Sequence, residues 1–121
     1  MRKPKRTTRN ILTARKDLGK FSLYGDALKF IGFKDGLGLE FYFNKDLQFG
    51  LIRLSEKSED NYEPRQKSLQ PARAFKSKPL YKRFKDCFKL TENVNEFEIK
   101  EVNGAFVFKL IEKKKKSLKY Y

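Results

Sequence analysis

The chain has 121 residues, with 29 Lys and Arg against 15 Asp and Glu and a formal charge of +14. That length supports one compact domain, or two small intertwined lobes, around a modest core, and it excludes a two-domain enzyme of ordinary size. With no His, no Trp and a single Cys, disulfide frameworks, His-based triads and most metal clusters are excluded, so no enzyme activity, catalytic residue, metal ligand or cofactor is expected.

Residues 1–18 read as a basic arm. Arg2, Lys3, Lys5, Arg6 and Arg9 follow one another without apolar periodicity, so the arm is expected to be flexible until it orders against phosphates. Residues 19–54 read as a strand–helix–hairpin unit. A strand is expected near Lys20–Leu23, then a short helix near Tyr24–Ile31 ended by Gly32 and a turn at Lys34-Asp35-Gly36. The unit continues as strands Leu39–Phe43 and Phe49–Leu54, rich in the aromatic side chains that a half-buried strand prefers.

Residues 55–74 hold Asn, Pro, Ser and mixed charge with little apolar content, and read as an exposed polar linker. Residues 75–112 read as a helix followed by a hairpin. Ser77 can cap a helix over 78–88 whose first turn accepts Pro79, and Leu80, Phe84, Cys87 and Phe88 recur at i, i+4, i+7 and i+8 as an inward stripe. Phe97 and Ile99 then alternate with Glu96, Glu98 and Lys100, Asn103-Gly104 supplies a tight turn, and Ala105–Ile111 returns as a strand. Residues 113–121 form a basic tail containing Lys113, Lys114, Lys115 and Lys116.

The chain also resembles itself. At an offset of 56, Leu28 meets Phe84, Ile31 meets Cys87, Glu40 meets Glu96 and Phe41 meets Phe97; at 57, Phe49 meets Phe106 and Leu51 meets Phe108. Net charge follows these blocks unevenly: +7 over residues 1–20, 0 over 21–54, −1 over 55–70, +6 over 71–90, −3 over 91–112 and +5 over 113–121. The segments with the strongest strand patterning are neutral or acidic, so the positive charge belongs to attached arms and to the central helix.

Gly19-Lys20-Phe21-Ser22-Leu23, Ile31-Gly32-Phe33-Lys34-Asp35-Gly36 and Leu39-Glu40-Phe41-Tyr42-Phe43 together resemble the AbrB-like swapped-hairpin, or looped-hinge-helix, family over residues 19–54. The resemblance implies a small barrel of two interlocked hairpin units, usually a homodimer, and DNA binding in transcription regulation. Lys20 occupies the family's basic position after glycine and Lys29 one basic position of its helix, while Leu28 occupies the other. Tyr24 stands where the family usually has proline, and Leu37 where it has an acidic residue.

The expected fold is therefore α+β: a small β-barrel-like domain built from two related strand–helix–hairpin units with basic flexible termini, as a monomeric pseudo-dimer or a homodimer. The expected function is nucleic-acid binding, to DNA or RNA, mainly through backbone phosphates, as a transcription regulator or a packaging protein. The residues expected to carry it are Lys78, Lys82, Arg83 and Lys85 on the helix, Arg73 and Lys76 before it, Lys20 and Lys29 in the first unit, and the cations of both termini. The alternative is a structural or adaptor protein whose basic arms thread into a virus particle or ribonucleoprotein, with protein partners. Neither tail has the apolar face or lipidation signal for stable membrane anchoring, and a cytoplasmic location, or one within a phage particle or nucleoprotein assembly, is expected.

Overall fold

A computed structural model describes residues 10–66 and 72–111. Eight strands and two helices follow one another as β1 (Ile11–Arg15), β2 (Lys20–Leu23), α1 (Gly25–Ile31), β3 (Leu37–Asn44), β4 (Phe49–Glu56), β5 (Arg65–Gln66), β6 (Arg73–Lys76), α2 (Lys78–Phe88), β7 (Val94–Val102) and β8 (Ala105–Leu110). The protein is a small α+β domain in which one mostly antiparallel sheet, ordered β3-β4-β8-β7-β1-β2-β6-β5, curls into a half-barrel. Leu39 and Tyr62 exchange two backbone hydrogen bonds, 2.7 and 3.0 Å, and so join β3 to the chain just before β5.

Two segments expected outside the sheet belong to it. β1 lies within the block read as the basic arm, yet it pairs on both sides, with β2 and with β7. The block read as a linker contains Tyr62, β5 and the start of β6, and β6 pairs along its full length with β2. Residues 1–9, 67–71 and 112–121, with the arm and tail cations expected to bind among them, lie outside the described residues.

The helices form where expected and for different reasons. The Ser77 side chain accepts the Leu80 N–H at 3.1 Å and so caps α2, with Pro79 in the first turn, and Lys89 ends the helix in a left-handed conformation. α1 has no side-chain cap, and it ends at Gly32, whose φ of 84° is one that glycine adopts without strain.

The core is aromatic and centred on α2. Phe84 is fully buried, with ring centroids of Phe21, Phe43, Phe97 and Phe108 at 4.9 to 5.2 Å, drawn from β2, β3, β7 and β8. Such tilted, edge and offset pairs add to area burial. Leu80, Tyr81, Cys87 and Phe88 complete the inward face of α2. Asn95, the buried polar residue of this core, donates to the Glu92 carbonyl at 3.0 Å and to the Tyr81 hydroxyl at 3.4 Å, tying the start of β7 to the helix.

The strand faces also test the offsets seen in the sequence. Leu39 and Phe41 on β3, like Asn95 and Phe97 on β7, are buried, so an offset of 56 keeps inward residues inward. The offset of 57 does not. On β4 the buried residues are Gly50 and Ile52, on β8 Phe108 is buried, and equating Leu51 with Phe108 sets an outward position against an inward one. A strand alternates with period 2, so a slip of one residue exchanges the two faces; an offset of 58 restores them.

Candidate nucleic-acid interface

Topology decides where the charges meet. β2 and β6 are antiparallel neighbours, so their C-terminal ends point in opposite directions. α1 follows β2 and α2 follows β6, which places the two helices at opposite ends of the half-barrel. The β1–β2 turn, Lys16–Gly19, and the β3–β4 turn, Lys45–Gln48, both lie at the α2 end, because β1, β3 and β6 run in the same direction.

On α2 the buried face leaves Lys78, Lys82, Arg83 and Lys85 exposed. At 3.6 residues per turn, Lys78, Lys82, Lys85 and the terminal Lys89 fall at i, i+4, i+7 and i+11, within an arc of about 60°. They form one ridge of like charge that weakens the helix by a few tenths of a kcal/mol per neighbouring pair. Arg83 lies on the other side of the exposed face, with its guanidinium 4.9 Å from the centroid of Phe43.

A second row of cations crosses the sheet beside the start of α2. Arg15 lies directly opposite Lys20, and Lys20 directly opposite Lys76, on the outer face of β1, β2 and β6. Like charges placed opposite one another destabilise a sheet; among the described residues no ion pair involves these cations, while Glu63 and Arg65 line the same surface hollow as Lys20 and Lys76. The ion pairs between described residues are Arg73–Asp35 at 3.0 Å, Arg65–Glu63 at 3.3 Å and Lys57–Glu63 at 3.5 Å; none involves this row or α2.

Among the described residues, the α2 end gathers Arg15, Lys16, Lys20, Lys45, Arg65, Lys76, Lys78, Lys82, Arg83, Lys85 and Lys89 against Asp17, Asp46, Glu63, Asp86 and Glu92. Of the expected site residues, the structure thus brings together Lys20, Lys76, Lys78, Lys82, Arg83 and Lys85. It does not bring in Arg73 or Lys29. Arg73 opens β6 at the α1 end, is bound to Asp35 and lies 5.5 Å from the Phe33 ring centroid; Lys29 is on α1 itself. Sequence reasoning missed Lys89 and Arg15. Extending the helical spacing one turn past Lys85 finds the first, whereas the second requires the β1–β2 register.

Cys87 is buried, its thiol donating to the Asn44 carbonyl at 3.5 Å and lying 3.8 Å from the Phe49 carbonyl, and burial pushes its pKa up, away from a reactive thiolate. Burial likewise raises the Tyr81 hydroxyl, with the Asn95 hydrogen bond opposing it. No group of three or more His, Cys, Asp or Glu side chains that could hold a metal occurs among the described residues, and no helix among them is long and apolar enough to cross a membrane.

No family model, curated protein or solved structure matches the chain.

Proposed function

We propose that the α2 end of the half-barrel binds nucleic acid through its phosphates. The observation that carries this reading is the lysine ridge 78/82/85/89 standing beside the Arg15–Lys20–Lys76 row, neither of them in an ion pair with a carboxylate among the described residues. Cations on a helix and a paired strand lose less backbone freedom on binding than cations on a loose chain. Each phosphate they neutralise releases counterion, so affinity falls steeply with salt.

The same reading includes the architecture. The hairpins around the sheet come alternately from the first and second halves of the chain, β3β4, β8β7, β1β2 and β6β5. That interleaving supports two related units, β1–β4 with α1 and β5–β8 with α2, in a monomeric pseudo-dimer of the AbrB-like kind. A regulatory or packaging role follows from phosphate binding of this type, with DNA or RNA as partner.

The test is fluorescence anisotropy of a labelled nucleic-acid duplex titrated with the protein across a salt series. Replacing Lys78, Lys82, Lys85 and Lys89 together by Gln is expected to reduce the salt slope by about 0.9 per lost contact on B-form DNA. Replacing Lys29 and Lys34, at the α1 end, is expected to leave the slope unchanged. Binding independent of salt, or a four-lysine variant that binds like the parent protein, overturns the proposal.

A further inference from the structure

Two exposed leucines bracket the lysine ridge. Leu18 is 46% and Leu47 68% exposed, in the β1–β2 and β3–β4 turns. The turns share a sequence and a shape: Lys16-Asp17-Leu18 and Lys45-Asp46-Leu47 are each followed by a left-handed residue, Gly19 at φ 60° and Gln48 at φ 54°. A left-handed conformation costs a non-glycine residue about 1–2 kcal/mol, so the second turn holds this shape against its own preference.

Both tips are fixed to α2. At Gly19 a Cβ would lie 3.0 Å from the Lys78 Cα, and the Ser77 N–H donates to the Gly19 carbonyl at 2.8 Å, which seats the first turn on the start of the helix. The Leu47 N–H donates to the Asn44 side chain at 3.0 Å, and the Cys87 thiol donates to the Asn44 carbonyl, which seats the second turn on its end. The eleven residues between them span about 16 Å at 1.5 Å per residue.

We infer that this end engages duplex rather than single-stranded nucleic acid, with Leu18 and Leu47 acting as apolar wedges that enter a groove and bend the duplex while the lysines hold its phosphates. This inference rests on the phosphate-binding reading of the same end. Proteins that bend duplexes insert apolar side chains between base steps and recover the unstacking cost through added backbone contact. Single-strand binders instead stack bases on exposed aromatic rings. At this end Arg83 covers Phe43 and Phe49 is half-buried, while the exposed tyrosines Tyr24 and Tyr42 lie at the start of α1 and on the outer face of β3. An anionic bilayer fits less well, because the apolar face of α2 is turned into the core and two leucines are all that the turns offer.

The test compares the full-length protein with a Leu18→Ser, Leu47→Ser double variant. The probes are a duplex carrying donor and acceptor dyes at its ends, a single strand of equal length, and phosphatidylcholine vesicles containing phosphatidylserine; circular dichroism verifies the fold of the variant. The parent protein is expected to shorten the dye-to-dye distance and to prefer the duplex. The variant is expected to keep the salt slope, lose a few-fold in duplex affinity and lose the bend. Salt-dependent duplex binding with no bend, a bend that survives in the variant, tighter binding to the single strand, or leucine-dependent vesicle binding stronger than duplex binding each overturns the wedge assignment while leaving salt-dependent phosphate binding to be read separately. Absence of binding to either nucleic acid overturns the parent reading, and this one with it.

Discussion

The two ends of the half-barrel use the same sequence of elements for different purposes. At the α2 end an eleven-residue, side-chain-capped helix buries five residues in the aromatic core and turns outward lysines that form no ion pair among the described residues. At the α1 end a seven-residue helix buries Ala27, Leu28 and Ile31, has no side-chain cap, and lies near charges that are paired internally, such as Arg73 with Asp35. Cooperative burial at one end thus supports a surface whose charges repel one another, and the end without such a surface needs a smaller anchor. Core burial and outward positive charge are concentrated in the same element.

The sharpest way to break this comparison is to empty the centre of each end. Phe84→Ala removes a fully buried ring packed among Phe21, Phe43, Phe97 and Phe108, and is expected to cost about 3–5 kcal/mol of unfolding free energy in a urea titration. Phe30→Ala, on α1, removes a partly buried ring whose aromatic partner is Phe106 at 5.5 Å. It is expected to cost roughly 1–1.5 kcal/mol, about half the transfer value of a fully buried phenylalanine. Equal costs would mean that the two helices anchor the sheet alike.

A smaller contrast comes from two glycines. A Cβ at Gly50, at the α2 end of β4, would run into the Phe108 ring. Gly50→Ala is therefore expected to overpack the core by about 1–3 kcal/mol, read as a lower thermal midpoint. At Gly36, in the turn before β3, a Cβ meets nothing within 4 Å, and the backbone φ of 94° is the sole obstacle. Gly36→Ala is expected to cost only the strain of that conformation, about 1 kcal/mol. If Gly36→Ala proves the more damaging, packing at the α2 end is looser than the ring contacts imply.

This division was only partly legible in the sequence. α2 could be read from Ser77, Pro79 and the inward stripe, because each is a local signal, and the second hairpin from Asn103-Gly104. β1 was hidden by the charges around it: Ile11 to Arg15 alternates properly, but only pairing with β2 and β7 makes a strand of it. β5 and β6 are two and four residues long, and β6 has a single large apolar residue, Phe75, whose stacking on Phe21 at 5.2 Å is non-local. Such strands owe their stability to neighbours remote in sequence, which local propensity does not encode. The proposed interface divided in the same way: helical spacing alone places Lys78, Lys82 and Lys85 together, whereas joining Lys20 and Lys76 to Arg15, and separating Arg73 from them, required the sheet register.

The smallest predicted effect concerns pH and lies on β3, away from α2. Glu40 accepts hydrogen bonds from the Tyr42 hydroxyl at 2.7 Å and the Ser55 hydroxyl at 2.8 Å, and these bonds, the Tyr42 one first, hold its carboxyl below the usual pKa; Arg53 adds to them and desolvation opposes them. The same bond raises the pKa of Tyr42. A carboxyl with a lowered folded pKa contributes stability that is full above its unfolded value and is lost as pH falls through that value toward the folded one. Glu40→Gln removes this contribution, so its stability is expected to decline less steeply than that of the parent protein across the acid range, and Tyr42→Phe should fall between the two. Among the described residues no carboxylate is ion-paired with the ridge on α2, so replacing its lysines should leave the shape of the acid profile unchanged. Coincident acid profiles for the parent protein and Glu40→Gln would remove the internal carboxylate bonding of β3 from the contrast between the two ends, leaving burial and the lysine ridge to carry it.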